Sequence, residues 1–278
     1  MVETPSRNTK SHFLKRRQPV YPMLFDQLER IFKVMLLGAL TLLAISFLQK
    51  DKFPTPGLFS QAVLSEPRQT RTQSLPFETK VNDQTYRVTP LFDYELSGVV
   101  VTDYESGSLG DIYHHRQWKD FLNVKDLCVV WGQNVKSGVF RKLRYDSGPW
   151  TCFFETPDRK TSDAFRNDQL SNNHLLTDDM DLHRRIMRAA PGDEVRIKGV
   201  LANYQNDATG FDRGTSISRT DTGNGACETI YVTDFAVMKE ANRGWRAIYR
   251  WSGFAASVAV VGFLLTLWIR PAKRPYLR

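Results

Sequence analysis

Residues 178–201 read DDMDLHRRIMRAAPGDEVRIKGVL, and their period decides the fold. Leu182, Ile186, Ala189 and Ala190 recur at spacings of 4, 3 and 1, which puts them on one face of a helix. Asp178, Asp179 and Asp181 crowd the first turn, and Arg184, Arg185 and Arg188 sit nearer the C-terminal end, as the helix dipole favours. Thr177 or Asp178 is placed to cap the helix. Pro191-Gly192-Asp193 then stops it, so the pattern predicts a helix over 178–190. The chain turns directly into 194–201, where Val195 and Ile197 alternate with Arg196 and Lys198 as in a strand with one buried face.

On either side lie further runs of β-branched and aromatic residues bounded by turn residues. Residues 94–102 (YELSGVVVT), 127–132 (LCVVWG) and 150–155 (WTCFFE) precede the helix, and 228–238 (ETIYVTDFAVM) follows the strand at 194–201. Residues 85–91 (TYRVTPL), after a turn at Asn82-Asp83, add an earlier candidate. From residue 94 the order is strand, strand, strand, helix, strand, strand. At the level of the superfold this resembles an OB-fold barrel, over residues 85–240. The resemblance implies an all-β or α+β domain, a five-strand barrel with one helix. Gly98 and Gly199 fall inside strands, where a small barrel bends sharply.

The outermost segments are apolar. Residues 31–48 (IFKVMLLGALTLLAISFL) contain one charge, Lys33, and 252–269 (SGFAASVAVVGFLLTLWI) contain none. Each is just long enough to cross the ~30 Å hydrocarbon layer. No small-x-small cleavage site follows residue 48 before Gln49-Lys50-Asp51, so the first run reads as an uncleaved anchor. The chain has 278 residues, with 38 basic and 30 acidic side chains. Six basic and three acidic residues lie in 1–30, four basic residues in 270–278, and Lys33 between them; the other 27 of each sign balance over 49–250. The positive-inside rule then predicts both termini in the cytoplasm and a neutral domain outside. The domain organisation is a tail (1–30), a transmembrane helix (31–48), an extended linker (49–84), the β domain (85–240), a connector (241–251), a second transmembrane helix (252–269) and a tail (270–278). The location expected is the inner membrane of a bacterium, with the main domain periplasmic. A sequence pI of 9.4 would ordinarily point to nucleic acid, but the excess charge flanks the spans and reads as lipid contact and topology instead. Small residues spaced by four in the second span, such as Ala255 and Ala259, suit helix packing within or between chains.

Candidate chemistry lies in the outer domain. Cys128, Cys152 and Cys227 permit one disulfide by any of three pairings. No Cys-x-x-Cys, His-x₃-His or Glu-x-x-His spacing appears, so no metal or cofactor is expected. His114-His115 sit in a polar loop, and His183 lies on the polar face of the helix. Ser171, Asn172, Asn173 and His174 read as a strand-to-helix connection, whose small polar groups turn the chain and are available to a ligand. Residues 205–226 form a long Gly-rich loop between the last two strands, carrying Arg213 and Arg219 as contacts for an acidic or sugar partner. No nucleophile elbow, phosphate loop or kinase set is present, so an enzyme is not the leading reading. The expected function is a binding or scaffolding subunit of a membrane or envelope complex, with a protein partner or a second copy beside it in the bilayer. The alternatives are an envelope ligand-binding protein or enzyme using 171–174 and 205–226, and a two-span channel or polysaccharide-chain regulator.

Overall fold

Strand β3 (Gln84–Glu105) organises the sheet. At roughly 3.3 Å per residue its 22 residues are too long to stay flat, and its register shifts between Pro90 and Phe92 and again between Val100 and Thr102. The two sequence candidates at 85–91 and 94–102 are thus one bent strand. The computed structural model that shows this describes residues 20–108, 110–221 and 227–269. Contacts divide the chain into residues 47–246 and a second unit of 1–46 with 247–278.

In the larger unit β3 pairs with β1 (Arg68–Arg71), β2 (Phe77–Val81), β4 (Asn123–Val130) and β8 (Glu194–Asn206), all antiparallel. Strand β4 pairs with β7 (Leu170–Leu176), β7 runs parallel to β10 (Glu228–Lys239), and β10 pairs with β8. Within the set β3, β4, β7, β8 and β10, each strand therefore has two bonded neighbours in a mixed sheet. A short β9 (Phe211–Arg213) extends β8, and β5 (Arg144–Gly148) with β6 (Thr151–Glu155) forms a separate two-stranded sheet. The expectation that 150–155 supplies the third strand is corrected here. That place belongs to β7, the segment read as a strand-to-helix connection. Ser and Asn favour turns when their side chains bond locally. In β7 they bond across the sheet instead: Asn173 Nδ2 donates to Leu127 O at 3.0 Å.

Helix α1 (Val20–Lys50) opens the described chain, and α2 (Gly132–Ser137) and α3 (Arg159–Ala164) are single turns beside the two-stranded sheet. Helix α4 (Met180–Arg188) forms where the amphipathic period placed it, two residues shorter at each end, with Asp179 rather than Thr177 or Asp178 as its cap. Its Leu182 and Ile186, with Ala189, join Leu96, Val100, Leu127, Val129, Leu175, Val195, Ile197, Leu201, Ile230 and Phe235 in the main core. Gly98 and Gly199 are needed for space. A Cβ on Gly199 would meet the Tyr231 carbonyl, and one on Gly98 the Val129 side chain and Val130 carbonyl. Asp193, the stop signal's own carboxylate, is buried. It accepts from Ala241 N at 2.7 Å and from Arg246 Nη1 at 2.7 and 2.9 Å.

The segment 49–84 is extended but docked. Val63 is fully buried, Glu66 accepts from Trp131 Nε1 at 2.9 Å, and β1 and β2 add to the sheet. The structure closes one disulfide, Cys128 to Cys152, and leaves Cys227 free. In the smaller unit, α1 and α5 (Arg243–Ile269) are long and apolar enough to cross a membrane. Their buried small residues recur by sevens, Ala39 and Ser46 on one helix and Ser252, Ala259 and Thr266 on the other, as left-handed helix pairs require. The Phe32 ring fills the space over Gly262.

Ile186 is fully buried in the main core. Replacing it with Asp strands a carboxylate there at a cost of about 4 kcal/mol, whereas Ile186→Val costs about 1 kcal/mol. Tryptophan-monitored unfolding of the detergent-solubilised chain is expected to show that ranking. An Ile186→Asp protein that melts like the wild type contradicts the core assignment.

Candidate functional site

Strand alternation puts Leu175, Leu127 and Val129 in the core and turns His174, Asp126 and Cys128 to the opposite face of the sheet. The register then aligns polar residues across four strands. Tyr104 lies opposite Asp126, Asp126 opposite His174, and His174 opposite Thr229. The adjoining row holds Thr102, Cys128 and Asn172, whose Nδ2 reaches Cys227 Sγ at 3.7 Å. The segment 171–174 is therefore divided. Ser171 and Asn173 bond to each other on the core side, while Asn172 and His174 belong to the polar face.

Three segments cover that face. The β3–β4 connection carries Asp111, His114, Trp118 and Asp120. Trp150 sits at the tip of the two-stranded sheet. The chain after β8 brings Phe211 and Arg213. Trp150 is the hub: its ring centroid lies 4.4 Å from His114, 4.8 Å from His174, 5.4 Å from Trp118 and 5.9 Å from Phe211, with the Arg213 guanidinium 4.0 Å over its face. Its φ of 67° is left-handed, a strained conformation for a bulky residue that costs on the order of 1–3 kcal/mol and marks functional sites more often than scaffolds.

Within and beneath this cover lie five buried ionisable groups, Asp111, His114 and Asp120 on the connection and Asp126 and His174 on the strands. His114 Nδ1 meets Asp111 Oδ2 at 2.5 Å, and Tyr204 OH donates to Asp120 at 2.7 Å. Burial raises the Asp120 pKa despite that bond. Burial also tends to raise Asp111, but the His114 backbone and ring outweigh it and hold the carboxyl below its ordinary value. Asp126 Oδ1 accepts from Asn123 Nδ2 at 2.9 Å and lies 2.7 Å from His174 Nδ1, close but not aligned for a straight hydrogen bond. Asp126 Oδ2, Asn123 Oδ1 and His114 Nε2 have no partner among the described residues. With His174 Nδ1 that makes four; buried polar atoms are nearly always paired, so four orphans in one cluster point to a site rather than to a scaffold.

His174 feels opposed pressures. Burial lowers its pKa, and the Asp126 carboxylate outweighs burial and lifts it to about 9. Arg213 Nη2 approaches His174 Nε2 at 2.9 Å. A guanidinium only donates, so this contact needs the Nε2 lone pair and hence the neutral ring. A proton and the guanidinium therefore compete for one nitrogen. Nε2 is the atom a general base would present to a nucleophile, and here it is occupied by a cation.

Arg213 and Arg219 therefore both have intramolecular partners. Arg219 pairs with buried Glu228, whose pKa burial lifts to about 7 against the lowering effect of Arg219, and also donates to Gln69 at 2.9 Å. Within 205–221, Ser216 Oγ donates to Asp221 at 2.6 Å, and Thr229 Oγ1 donates to Gly214 O at 2.9 Å. Residues 222–226 of the expected loop lie outside the described residues. Asp126 and Trp150 escaped the sequence reading. The available signal was a carboxylate inside the apolar run VKDLCVV, a cost no strand accepts without a partner. Comparison of the chain with protein-family models, curated proteins and solved structures gives no match.

Arg213→Ala is expected to raise the His174 titration, because a competing cation is gone. Asp126→Asn is expected to lower it, because burial is then unopposed. Histidine ring ¹⁵N shifts followed against pH in the solubilised chain test both signs. A shift in the same direction in the two variants contradicts the competition.

Proposed function

We propose that this chain is a two-pass protein of a bacterial inner membrane, with both termini cytoplasmic and the domain periplasmic. The outer domain is read as an OB-like barrel acting as a binding or scaffolding subunit of a membrane or envelope complex. Support for the barrel comes from the order of pairings. With β3, β4, β7, β8 and β10 counted as strands one to five, the bonded order runs one, two, three, five, four and back to one. The third and fifth are parallel, and helix α4 stands between the third and fourth. Support for the topology comes from the two apolar helices and the charge balance of the sequence.

The observation that carries the binding reading is the buried row Tyr104–Asp126–His174–Thr229 under Trp150 and Arg213. Its centre, Asp126 and His174, lies on the second and third strands, between the first and last connections, where OB-like domains take their ligands. Arg213 is the contact we assign to the partner, seated from beneath by buried His174, with Arg219 at the margin. The domain's balanced charge and an aromatic cover already filled by its own side chains favour a protein surface over nucleic acid.

Mild-detergent purification from the native membrane is expected to return a stoichiometric partner with the wild type and to lose it with Arg213→Ala/Arg219→Ala. A partner retained by that folded variant places recognition elsewhere. For topology, a thiol-reactive reagent that cannot cross the membrane is expected to label Leu75→Cys in intact cells and not Ser6→Cys. Leu75 is 80% exposed. Labelling at residue 6 contradicts the cytoplasmic N-terminus.

A further inference from the structure

The segment after α1, the turn after α4 and the end of β10 enclose a cavity of about 170 Å³, at the other end of β8 from Arg213. Pro54, Leu58, Phe59 and Ala241 make its wall apolar, and Lys239 and Glu240 are its exposed polar members. Hydrogen bonds hold the three segments together. Asn242, which also lines the cavity, takes a left-handed φ of 49° and donates Nδ2 to the carbonyls of Lys50 at 3.2 Å and Lys52 at 2.6 Å. Arg246 donates to the Pro191 carbonyl at 2.6 Å while paired with buried Asp193. The hollow is thus preformed, which lowers the ordering cost of binding.

Its level follows from α1. The apolar run ends at Leu48, and Lys50 lies two residues further, about 3 Å along a helix. Asn242 sits on that Lys50 carbonyl. With α1 as a span, the cavity wall stands among the lipid headgroups, which occupy roughly 5–8 Å on each side of the hydrocarbon layer. Trp245, partly exposed three residues beyond Asn242, is a side chain that favours the same level.

The outer domain is neutral as a whole, but charge is unbalanced here. Asp51 pairs with Lys50, Glu240 with Arg243 at 3.6 Å and Asp193 with Arg246 at 2.7 Å. Lys52, Arg141 and Lys239 have no carboxylate partner among the described residues. Lys239 Nζ donates to Leu58 O and Arg141 Nε to Phe53 O at 3.3 Å, so these cations gather round residues 52–58, where Leu58 is half exposed. Unpaired cations round an apolar hollow at headgroup level suit an anionic phospholipid. The volume is below the ~300 Å³ of a site for a drug-sized molecule, so it admits the phosphate and glycerol end and leaves the acyl chains outside.

We propose that this cavity binds the headgroup of one anionic phospholipid from the adjoining leaflet, with Lys52 and Lys239 on the phosphate and Leu58 against the glycerol carbons. The proposal rests on the reading of α1 and α5 as membrane spans.

The test is native mass spectrometry of the full chain in detergent, titrated with phosphatidylglycerol, with phosphatidylcholine of the same acyl chains, and with glycerol 3-phosphate as the lipid-free anion. One phosphatidylglycerol is expected to bind about tenfold or more tighter than phosphatidylcholine, and glycerol 3-phosphate not to compete with it. Lys52→Gln/Lys239→Gln is expected to abolish the preference, while Lys80→Gln/Arg87→Gln, the same charge removed towards the other end of β8, leaves it intact. Leu58→Glu, which keeps both lysines and adds a repelling charge, is expected to weaken binding likewise and keeps the test open if loss of the Lys239–Leu58 bond disturbs folding. Equal affinity for the two lipids, an unchanged preference in folded Lys52→Gln/Lys239→Gln, or glycerol 3-phosphate binding as tightly as the lipid overturns the proposal. These outcomes leave the two-span reading standing, since thiol labelling at residues 6 and 75 decides that separately.

Discussion

The pairing of β3 with β8 is the contact on which the other features depend. β8 occupies one edge of β3 over residues 87–99, and β4 takes up β3 from residue 99 to 105. One continuous strand therefore ties β4 to β8. Two register shifts give it the bend that this requires, and Gly199 opposite Tyr94 lets the neighbouring backbone pass. With β8 and β4 so placed, β7 and β10 fill the remaining positions, and their parallel pairing sets His174 beside Thr229.

That register also explains why the polar row tolerates burial. An isolated buried charge costs several kcal/mol, and a partly satisfied cluster is worse for stability than an apolar one. The row and its neighbours hold an Asp126–His174 contact, an Arg213 cation over Trp150, and four buried atoms without a hydrogen bond among the described residues. A fold selected for stability alone has no use for this arrangement, or for Trp150 in a left-handed conformation. Local rules broken together at one place are the physical mark of a site.

Elements with a strong local period were legible in the sequence. Helix α4, strands β8 and β10, the core portions of β3 and β4, and both apolar helices follow directly from side-chain alternation. The third strand was not legible, because Ser171, Asn172 and Asn173 carry turn propensity that only cross-sheet bonds override. WTCFFE has stronger strand propensity than SNNHLL, yet it pairs outside the main sheet. The site was the least legible part. Asp126, His174 and Arg213 are separated by tens of residues, and only the register brings them together. The candidate residues in 171–174 divided between two faces for the same reason, since neighbours in a strand point apart.

The placement of the polar row depends on β3, β4, β7, β10 and β8 pairing in an unbroken ring. Methyl–methyl nuclear Overhauser effects in the full chain, with Ile, Leu and Val labelled, test this directly, because every seam contains a methyl pair in register. The pairs are Val99 with Val130, Val130 with Leu170, Leu175 with Ile230, Ile230 with Leu201, and Leu96 with Ile197. All five cross-peaks are expected together. Absence of the Leu96–Ile197 peak while the other four persist would show an open sheet and contradict the ring.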